Sequence, residues 1–358
     1  MPDIESGVGM GNNGANRAGD TSQRCGNSPA VSVSGHFSPK SEPPDVLSKQ
    51  ELIRHLAEMG FNDTDTAQAA YFIDRVGYTH AKPYAVRFAH RETGLAAVEA
   101  AVRFDRLFQS VLLKYIGLFE VQFRAQYSRL MAETGGAFAH RDPSCFKSQD
   151  LHMASLESYA DEVNRQSRQS NVRVRKLIDA YGDLPVWDAV EVMTMGTLSK
   201  LYKNTRSKAV RFGVADSFGV RCDELTSWMG TISYVRNRCA HFGRLLGTKL
   251  VYMPKAIKGI GLSTDHPLYA ALILEKLLST DTEFPEDLPL MYSVGLLSDI
   301  VDVANECPMP IVLEYFPPNW KRLISRRDVV GADVTVGSVP LPKPSRIHVT
   351  GCRKSVNP

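Results

Sequence analysis

Hydrophobic positions recur at steps of three and four along most of the central chain, which is the period of helices packed on a core. The clearest start signal lies at residues 45–60, where Ser48 is followed by Glu51 and Gly60 ends the apolar pattern. Residues 95–134 hold strong helix formers and no proline, which predicts one long helix or two in line. The predicted fold class is therefore all-α, a helical bundle around one core.

Five more segments carry the helical period, and the two ends of the chain do not. The segments are residues 155–182, 185–205, 222–246, 266–280 and 289–307. The best strand signal is the short run 248–254. Residues 1–45 are rich in Gly, Ser, Asn and Pro, and residues 331–358 have closely spaced prolines, so both are predicted to be flexible, disordered tails. The helical domain is predicted to span residues 46–330.

Composition narrows the class of function. The net charge of +3 is small for 358 residues, so RNA binding would need a local basic patch. The six cysteines include no CxxC pair, and no secretion signal opens the chain, which favours reduced thiols in a cytoplasm. No apolar run approaches the roughly 18 residues that suggest a membrane span. The sequence has no phosphate-binding loop and no metal-ligand cluster, so neither a metal nor a cofactor is expected.

The segment 222–246 carries two stripes if it is one helix. The apolar stripe consists of Trp228, Ile232, Val235, Cys239, Phe242 and Leu246. The polar stripe consists of Tyr234, Asn237, Arg238, His241 and Arg244, with Arg236 at its border. The polar groups are therefore predicted to face away from the core. Cys239 is predicted to point away from His241, which disfavours a Cys–His metal site or a Cys–His nucleophile pair.

Arg236 and His241 are the residue types that RNA cleavage without a metal requires. Imidazole can exchange a proton near neutral pH, and a guanidinium offers a fork of donors for phosphate oxygens. Such a reaction would join the ribose 2′-OH to phosphorus and leave a 2′,3′-cyclic phosphate. Residues five apart lie about 140° apart on a helix, so the pair converges poorly within one chain. A two-fold dimer that brings two such faces together would remove this defect.

The spacing alone does not decide between a catalytic pair and a solvated helix face. Arg75 and His80 have the same separation in "RVGYTH". That segment contains Gly77 and lacks an opposite apolar stripe, so its pair is interpreted as structural. Trp187 and Trp228 lie on apolar stripes and are predicted to be core residues.

Four segments in order resemble one known family. They are "FDRLFQSVLLKYIGLFEVQFRAQYSRLM" with Asp105, Glu120 and Arg124, "LPVWDAVEVMTMGTLSKLYKN", "LTSWMGTISYVRNRCAHFGRLLG" and "YFPPNWKRLI". Together with the weaker "VGYTHAKPYAVRF", they resemble the Abi family of bacterial abortive-infection proteins, within the HEPN superfamily (higher eukaryotes and prokaryotes nucleotide-binding). The resemblance extends from about Ser48 to Ile324. The chain departs from the family pattern at Phe242 and Gly247, where a second histidine and an asparagine are often found.

The resemblance implies a HEPN-like helical fold and a metal-independent endoribonuclease of antiviral defence in the bacterial cytoplasm. By position, it makes Arg236 and His241 the catalytic pair and Asn237 the polar residue beside the arginine. It also implies RNA as substrate and a homodimer with the active site at the subunit interface. A ribonuclease of this kind would respond to a phage-derived trigger or be restrained by an antitoxin-like partner.

Several neighbouring residues keep two interpretations. Glu120 and Arg124, four apart on the long helix, form either a surface ion pair or a support for the catalytic pair. Arg238 and Arg244, and Tyr234 beside them, either bind RNA or form a solvated face. A basic bias over residues 165–211 could follow an RNA backbone or be solvated. The alternative function is a HEPN-like module that binds RNA or a protein without cleavage.

Overall fold

The computed structural model describes residues 45–61, 66–91, 94–169, 171–279 and 295–324, and of residues 66–68 it describes the backbone only. The chain divides into two units, Met1–Val46 and Leu47–Pro358, and all described helices belong to the second. Of the predicted tails, residues 1–44 and 331–358 lie outside the described residues. The domain boundaries at 46 and 330 stay predictions.

The described part of the chain forms fourteen α-helices and one short 3-10 helix, Pro143–Cys145. In chain order they are α1 Lys49–Glu58, α2 Thr66–Val76, α3 Tyr78–Phe88, α4 Gly94–Gly135, α5 Gln149–Arg168, α6 Val172–Tyr181, α7 Val186–Val192, α8 Met195–Asn204, α9 Lys208–Asp216, α10 Cys222–Ala240, α11 Leu268–Leu278, α12 Leu296–Asn305, α13 Met309–Tyr315 and α14 Trp320–Ile324. Within the described ranges there is no strand, only an isolated bridge between Phe146 and Thr205. The all-α class is confirmed.

The helix ends follow from capping residues. Ser48 begins α1 with the predicted capping box, since its side chain accepts from the N–H of Glu51 while the Glu51 carboxylate accepts from the N–H of Ser48. Residues 155–182 divide into α5 and α6 because Asn171 caps a new helix by accepting from the N–H of Val174. Residues 185–205 divide in the same way at Thr194, the N-cap of α8.

The strand signal at residues 248–254 does not correspond to a strand in the structure. This segment is irregular and runs beside α10, where the Thr231 hydroxyl donates to the carbonyl of Tyr252 at 2.9 Å. The indole of Trp228 donates to the carbonyl of Lys255 at 2.8 Å. Side chains of a helix therefore satisfy backbone groups that a sheet would otherwise pair.

The long helix α4 is continuous over 42 residues and is the centre of the bundle. At about 1.5 Å per residue it extends about 63 Å. It packs against α3, α7, α9, α10, α11, α12 and α13. Because neighbours cover it on several sides, aromatic residues such as Phe104, Phe108, Phe119 and Phe123 are fully buried along it. The same helix carries Asp105 and Glu120 into contact with α10 and the chain that follows it.

The tryptophan prediction holds for one residue of two. Trp228 of α10 is 1% exposed, whereas Trp187 in the first turn of α7 is 49% exposed. The prediction for Trp187 is wrong because α7 is only seven residues long, and its buried face is formed by Val186, Ala189 and Val190. Among the described helices, none is long and apolar enough to cross a membrane.

Candidate functional site

The site is built at the end of α10, where the helix stops earlier than the sequence pattern predicts. The helix ends at Ala240, and His241 is the C-cap residue. The N–H of Gly243 donates to the carbonyl of Arg238 at 2.8 Å, and the N–H of Phe242 donates to the carbonyl of Cys239 at 3.0 Å. These two bonds form a Schellman motif, which satisfies carbonyls that the helix end leaves free.

Phe242 therefore has a left-handed backbone, with φ of 50°, at a position where glycine is usual. Its side chain is 55% exposed, so its predicted place in the apolar stripe is wrong. Leu246 is fully buried as predicted, but it reaches the core from a loop and not from a helix. The periodicity fails here because the chain reverses after His241, and helical angles no longer apply to the residues beyond it.

His241 is exposed, and its imidazole has no hydrogen bond or ion pair with any described residue. Only its backbone is held, through the N–H that donates to the carbonyl of Asn237 at 3.2 Å. Asn237 is exposed as well. The structure thus leaves an unpaired imidazole at the surface, one turn beyond Arg236.

Arg236 forms an ion pair with Glu120 of α4, which in turn forms one with Arg124 of the same helix. Its Nε lies 3.9 Å from Oε2 of Glu120, while Oε1 of Glu120 lies 2.6 Å from Nη2 of Arg124. The side chains of Glu120 and Arg124 are 10% and 14% exposed, so this is not a surface pair. Arg124 also donates to the carbonyls of Val190 and Met193 at 2.9 and 3.1 Å. The carboxylate therefore lies between two guanidinium groups, of which Arg124 is 14% exposed and Arg236 is 41% exposed.

The predicted RNA-binding arginines are partly engaged within the chain. A guanidinium nitrogen of Arg238 donates to the carbonyl of Arg244, and Nη1 of Arg244 donates to the carbonyl of Pro83 at 3.0 Å. The Arg244 guanidinium also lies 5.9 Å from the centre of the Tyr84 ring. Both arginines tie the loop after His241 to its neighbours, and their use for RNA stays a prediction.

Tyr234, the third of these candidates, is half-buried on α10. Its ring packs edge-on against Tyr252, with 6.2 Å between centroids. Tyr252 belongs to the irregular segment beside α10 and is 58% exposed. The polar face of α10 is thus bordered by an exposed aromatic side chain.

Asp105 has a structural role that sequence reasoning did not assign. It is fully buried on α4 and accepts from the N–H groups of Leu245 and Leu246 at 3.0 and 3.1 Å. The hydroxyl of Tyr84 donates to the same carboxylate. The nearby side chain of Gln109 donates to the carbonyl of Gly243 at 3.3 Å. The sequence does contain a signal for this role, because Asp105 is a charged residue among the apolar positions that share its face of α4.

These surroundings shift two pKa values upward. Burial, and then the negative charge of Asp105, raise the pKa of the Tyr84 hydroxyl far above its ordinary value, so it remains a hydrogen-bond donor. Burial raises the pKa of the Cys239 thiol to about 12. The thiol therefore stays protonated at neutral pH and is a poor nucleophile. Among the described residues, no three His, Cys, Asp or Glu side chains group in a way that could hold a metal ion.

Comparison with known proteins yields one match. Residues 71–247 match the model of the family described as Abi-like protein. The matched range begins within α2 and ends with the loop that Asp105 holds, so it includes Glu120, Arg236 and His241. No curated protein and no solved structure matches the chain. Through this segment, the chain belongs to the Abi-like protein family.

Proposed function

We propose that the protein is a metal-independent endoribonuclease of the HEPN type that acts in abortive-infection defence in the bacterial cytoplasm. The observation that carries the proposal is an exposed, unpaired imidazole, His241, five residues after Arg236, whose guanidinium lies 3.9 Å from the buried carboxylate of Glu120. Membership of the Abi-like family supports the defence role. RNA is the proposed substrate because an arginine and a histidine supply the two functions that its cleavage needs.

In the proposed reaction, His241 takes the proton of a ribose 2′-OH as the oxygen attacks the adjacent phosphorus. The bond from phosphorus to the 5′-oxygen breaks, and that oxygen leaves with a proton supplied by an acid. The products are a 2′,3′-cyclic phosphate and a free 5′-OH. Arg236 donates to the phosphoryl oxygens as their negative charge grows, and Glu120 limits the directions in which its guanidinium can point.

We place the active centre at a two-fold interface between copies of the chain. Within one chain, the site has one exposed imidazole, His241, and the carboxylate of Glu120 is engaged by Arg124 and Arg236. A second copy would bring the acid that protonates the leaving oxygen. Exposed Phe242 and Tyr252 flank the polar face of α10 and supply apolar surface for such a contact. A phage-derived trigger or an antitoxin would act by controlling this association.

The test is cleavage of mixed RNA by purified protein in EDTA, with 2′,3′-cyclic phosphate ends as the readout. Arg236→Ala and His241→Ala are expected to lower the rate at least 100-fold. Arg129→Ala is the matched control, since Arg129 is an exposed arginine of α4 paired with Glu133. Unchanged cleavage in both site variants would refute the mechanism. RNA binding without cleavage under every condition would favour the non-catalytic module.

A mixed-dimer experiment tests the interface. Wild-type and His241→Ala chains carrying different tags are co-expressed, and the mixed dimer is purified. If one phosphate needs a histidine from each chain, the mixed dimer is as inactive as the His241→Ala protein. If each chain works alone, the mixed dimer keeps the activity of its wild-type chain.

A further inference from the structure

A cleft separate from the α10 site lies between α2 and α4. Its volume is about 340 Å³, within the roughly 300–1,000 Å³ that is usual for small-molecule sites. One wall is a stripe of α4 from Glu99 to Ser110, and the other is the face of α2 that carries Tyr71 and Arg75. Because α2 packs mainly on α1 and α3, this gap beside α4 remains open.

The cleft is rich in guanidinium groups. Arg75, Arg103 and Arg106 line it, against a single carboxylate, Glu99. Arg103 is paired with Glu306 at 3.1 Å, a solvent-exposed contact that contributes little. Arg75 and Arg106 form no ion pair with any described residue, so the wall of the cleft carries uncompensated positive charge.

Arg106 also has a buried hydrogen-bond donor without an acceptor among the described residues. Its Nε is buried and donates to no described atom. Buried donors are nearly always paired in proteins, so an unpaired one calls for an acceptor. Burial, and then the positive charge of Arg106, lower the pKa of His80 on α3, which keeps that imidazole neutral at physiological pH. An anion that accepts from Arg106 would supply both the acceptor and the missing negative charge.

The remaining lining residues indicate that the ligand is larger than a phosphate ion. Tyr71 is 60% exposed at the cleft, although the guanidinium of Arg75 lies 5.4 Å from its ring centre. An open aromatic face beside a planar guanidinium is a stacking platform for a base. Glu99 lies two turns before Arg106 on α4, about 10 Å away, and is an acceptor for hydroxyl or amino groups. The lining therefore combines guanidinium groups for an anion, one carboxylate that can accept hydrogen bonds and an exposed aromatic ring.

We infer that this cleft binds a mononucleotide, with its phosphate at Arg75 and Arg106, its base against Tyr71 and a hydroxyl or amino group at Glu99. The volume accommodates one nucleotide and not a length of folded RNA. The site shares no residue with the Arg236 and His241 centre. It lies on α4 beside Asp105, so both sites are attached to the same helix.

The test is titration calorimetry of the full chain with AMP, GMP, adenosine and inorganic phosphate. AMP or GMP is expected to bind at least tenfold more tightly than adenosine or phosphate. Arg75→Gln and Arg106→Gln are each expected to weaken nucleotide binding tenfold or more, whereas Arg129→Gln leaves it unchanged. Tyr71→Ala is expected to weaken nucleotide binding and to leave phosphate binding as it was. Arg75 is exposed, so its variant keeps the fold even if Arg106→Gln does not.

The outcome is independent of the ribonuclease proposal. Arg236→Ala and His241→Ala are expected to keep the wild-type affinity for AMP, whether or not the protein cleaves RNA. Loss of AMP binding in those variants would assign the nucleotide to the α10 site and overturn the inference. So would the absence of AMP and GMP binding at millimolar concentration, or affinity that neither Arg75→Gln nor Tyr71→Ala changes.

Discussion

Glu120 on α4 lies with its Oε2 3.9 Å from the Nε of Arg236 on α10, and its other oxygen is held by Arg124. The short ion pair joins Glu120 to Arg124, whose side chain is 14% exposed, and the longer one joins it to Arg236, whose side chain is 41% exposed. Arg124 anchors the carboxylate in the bundle, and the carboxylate in turn limits the mobility of Arg236. The arginine proposed for catalysis is therefore positioned by a different helix from its own.

Removal of this carboxylate charge should affect both stability and RNA cleavage. Glu120→Gln leaves Arg124 buried without a full counter-charge, which is expected to lower the free energy of unfolding by about 3 kcal/mol. Arg236 also loses its partner, so the cleavage rate should fall more than the folded fraction does. Urea unfolding and cleavage assays on the same preparations separate the two effects.

Glu133→Gln is the matched control for this variant. Glu133 is also on α4 and pairs with Arg129 four residues away, but both side chains are more than half exposed. Its loss should change stability by less than about 0.5 kcal/mol and leave cleavage unaltered. Equal behaviour of the two variants would contradict a positioning role for Glu120.

The buried carboxylate of Asp105 should hold the loop after His241. The N–H groups of Leu245 and Leu246 bond to different oxygens of Asp105. In Asp105→Asn one of these oxygens becomes an NH₂ group that cannot accept, so one of the two N–H groups loses its partner and a cost of about 1–3 kcal/mol is expected. Hydrogen exchange should show faster exchange at these two amides than at amides in the middle of α4. Asp302→Asn, at an exposed position on α12, is the control and should leave both amides protected. Equal protection of the Leu245 and Leu246 amides in both variants would contradict a role of Asp105 in holding this loop.

The left-handed residue after His241 should store backbone strain. Phe242→Gly is expected to stabilise the protein by about 1 kcal/mol, because glycine adopts φ of 50° without a Cβ clash and little buried surface is lost. Phe242→Ala shortens the side chain but keeps Cβ, so it should not gain this stability. The melting temperatures of the natural protein and the two variants measure this difference. An equal gain in stability in Phe242→Ala and Phe242→Gly would contradict backbone strain at this position.

Stability should depend on pH through Glu275 of α11, which is 4% exposed and has an oxygen with no partner among the described residues. Burial raises its pKa to about 7, above the unfolded value. Its contribution is therefore complete below about pH 4.5 and is lost as pH rises through 7. Glu275→Gln cannot ionise, so its stability relative to the natural protein should rise by about 2–3 kcal/mol between pH 5 and pH 8. A relative stability that is the same at both pH values in urea unfolding would refute the assignment.

Much of the fold was predictable because local signals and packing agree. The capping box at Ser48 and the helix formers of α4 act within one or two turns, so a single sequence shows them. The divisions at Asn171 and Thr194 were missed because each sits in a longer apolar pattern that continues past the cap. The end of α10 was missed for a related reason, since the apolar spacing continues through Phe242 although the backbone reverses there.

The pair Arg75 and His80 shows the limit of spacing as evidence. It has the same separation as Arg236 and His241, yet Gly77, with φ of 80°, separates α2 from α3 between the two residues. The interpretation of this pair as structural rested on that glycine. The structure nevertheless places Arg75 in a cleft, a location that depends on how α2 and α4 are arranged.

The sequence by itself determined the helical class, the long central helix and the presence of an arginine and a histidine five residues apart in one helical segment. Only the tertiary structure decided which groups act on them. Glu120 and Arg236 are 116 residues apart, and Asp105 and Leu245 are 140 residues apart. Contacts at such separations depend on the packing of whole helices, and that packing is a property of the complete core and not of any local pattern.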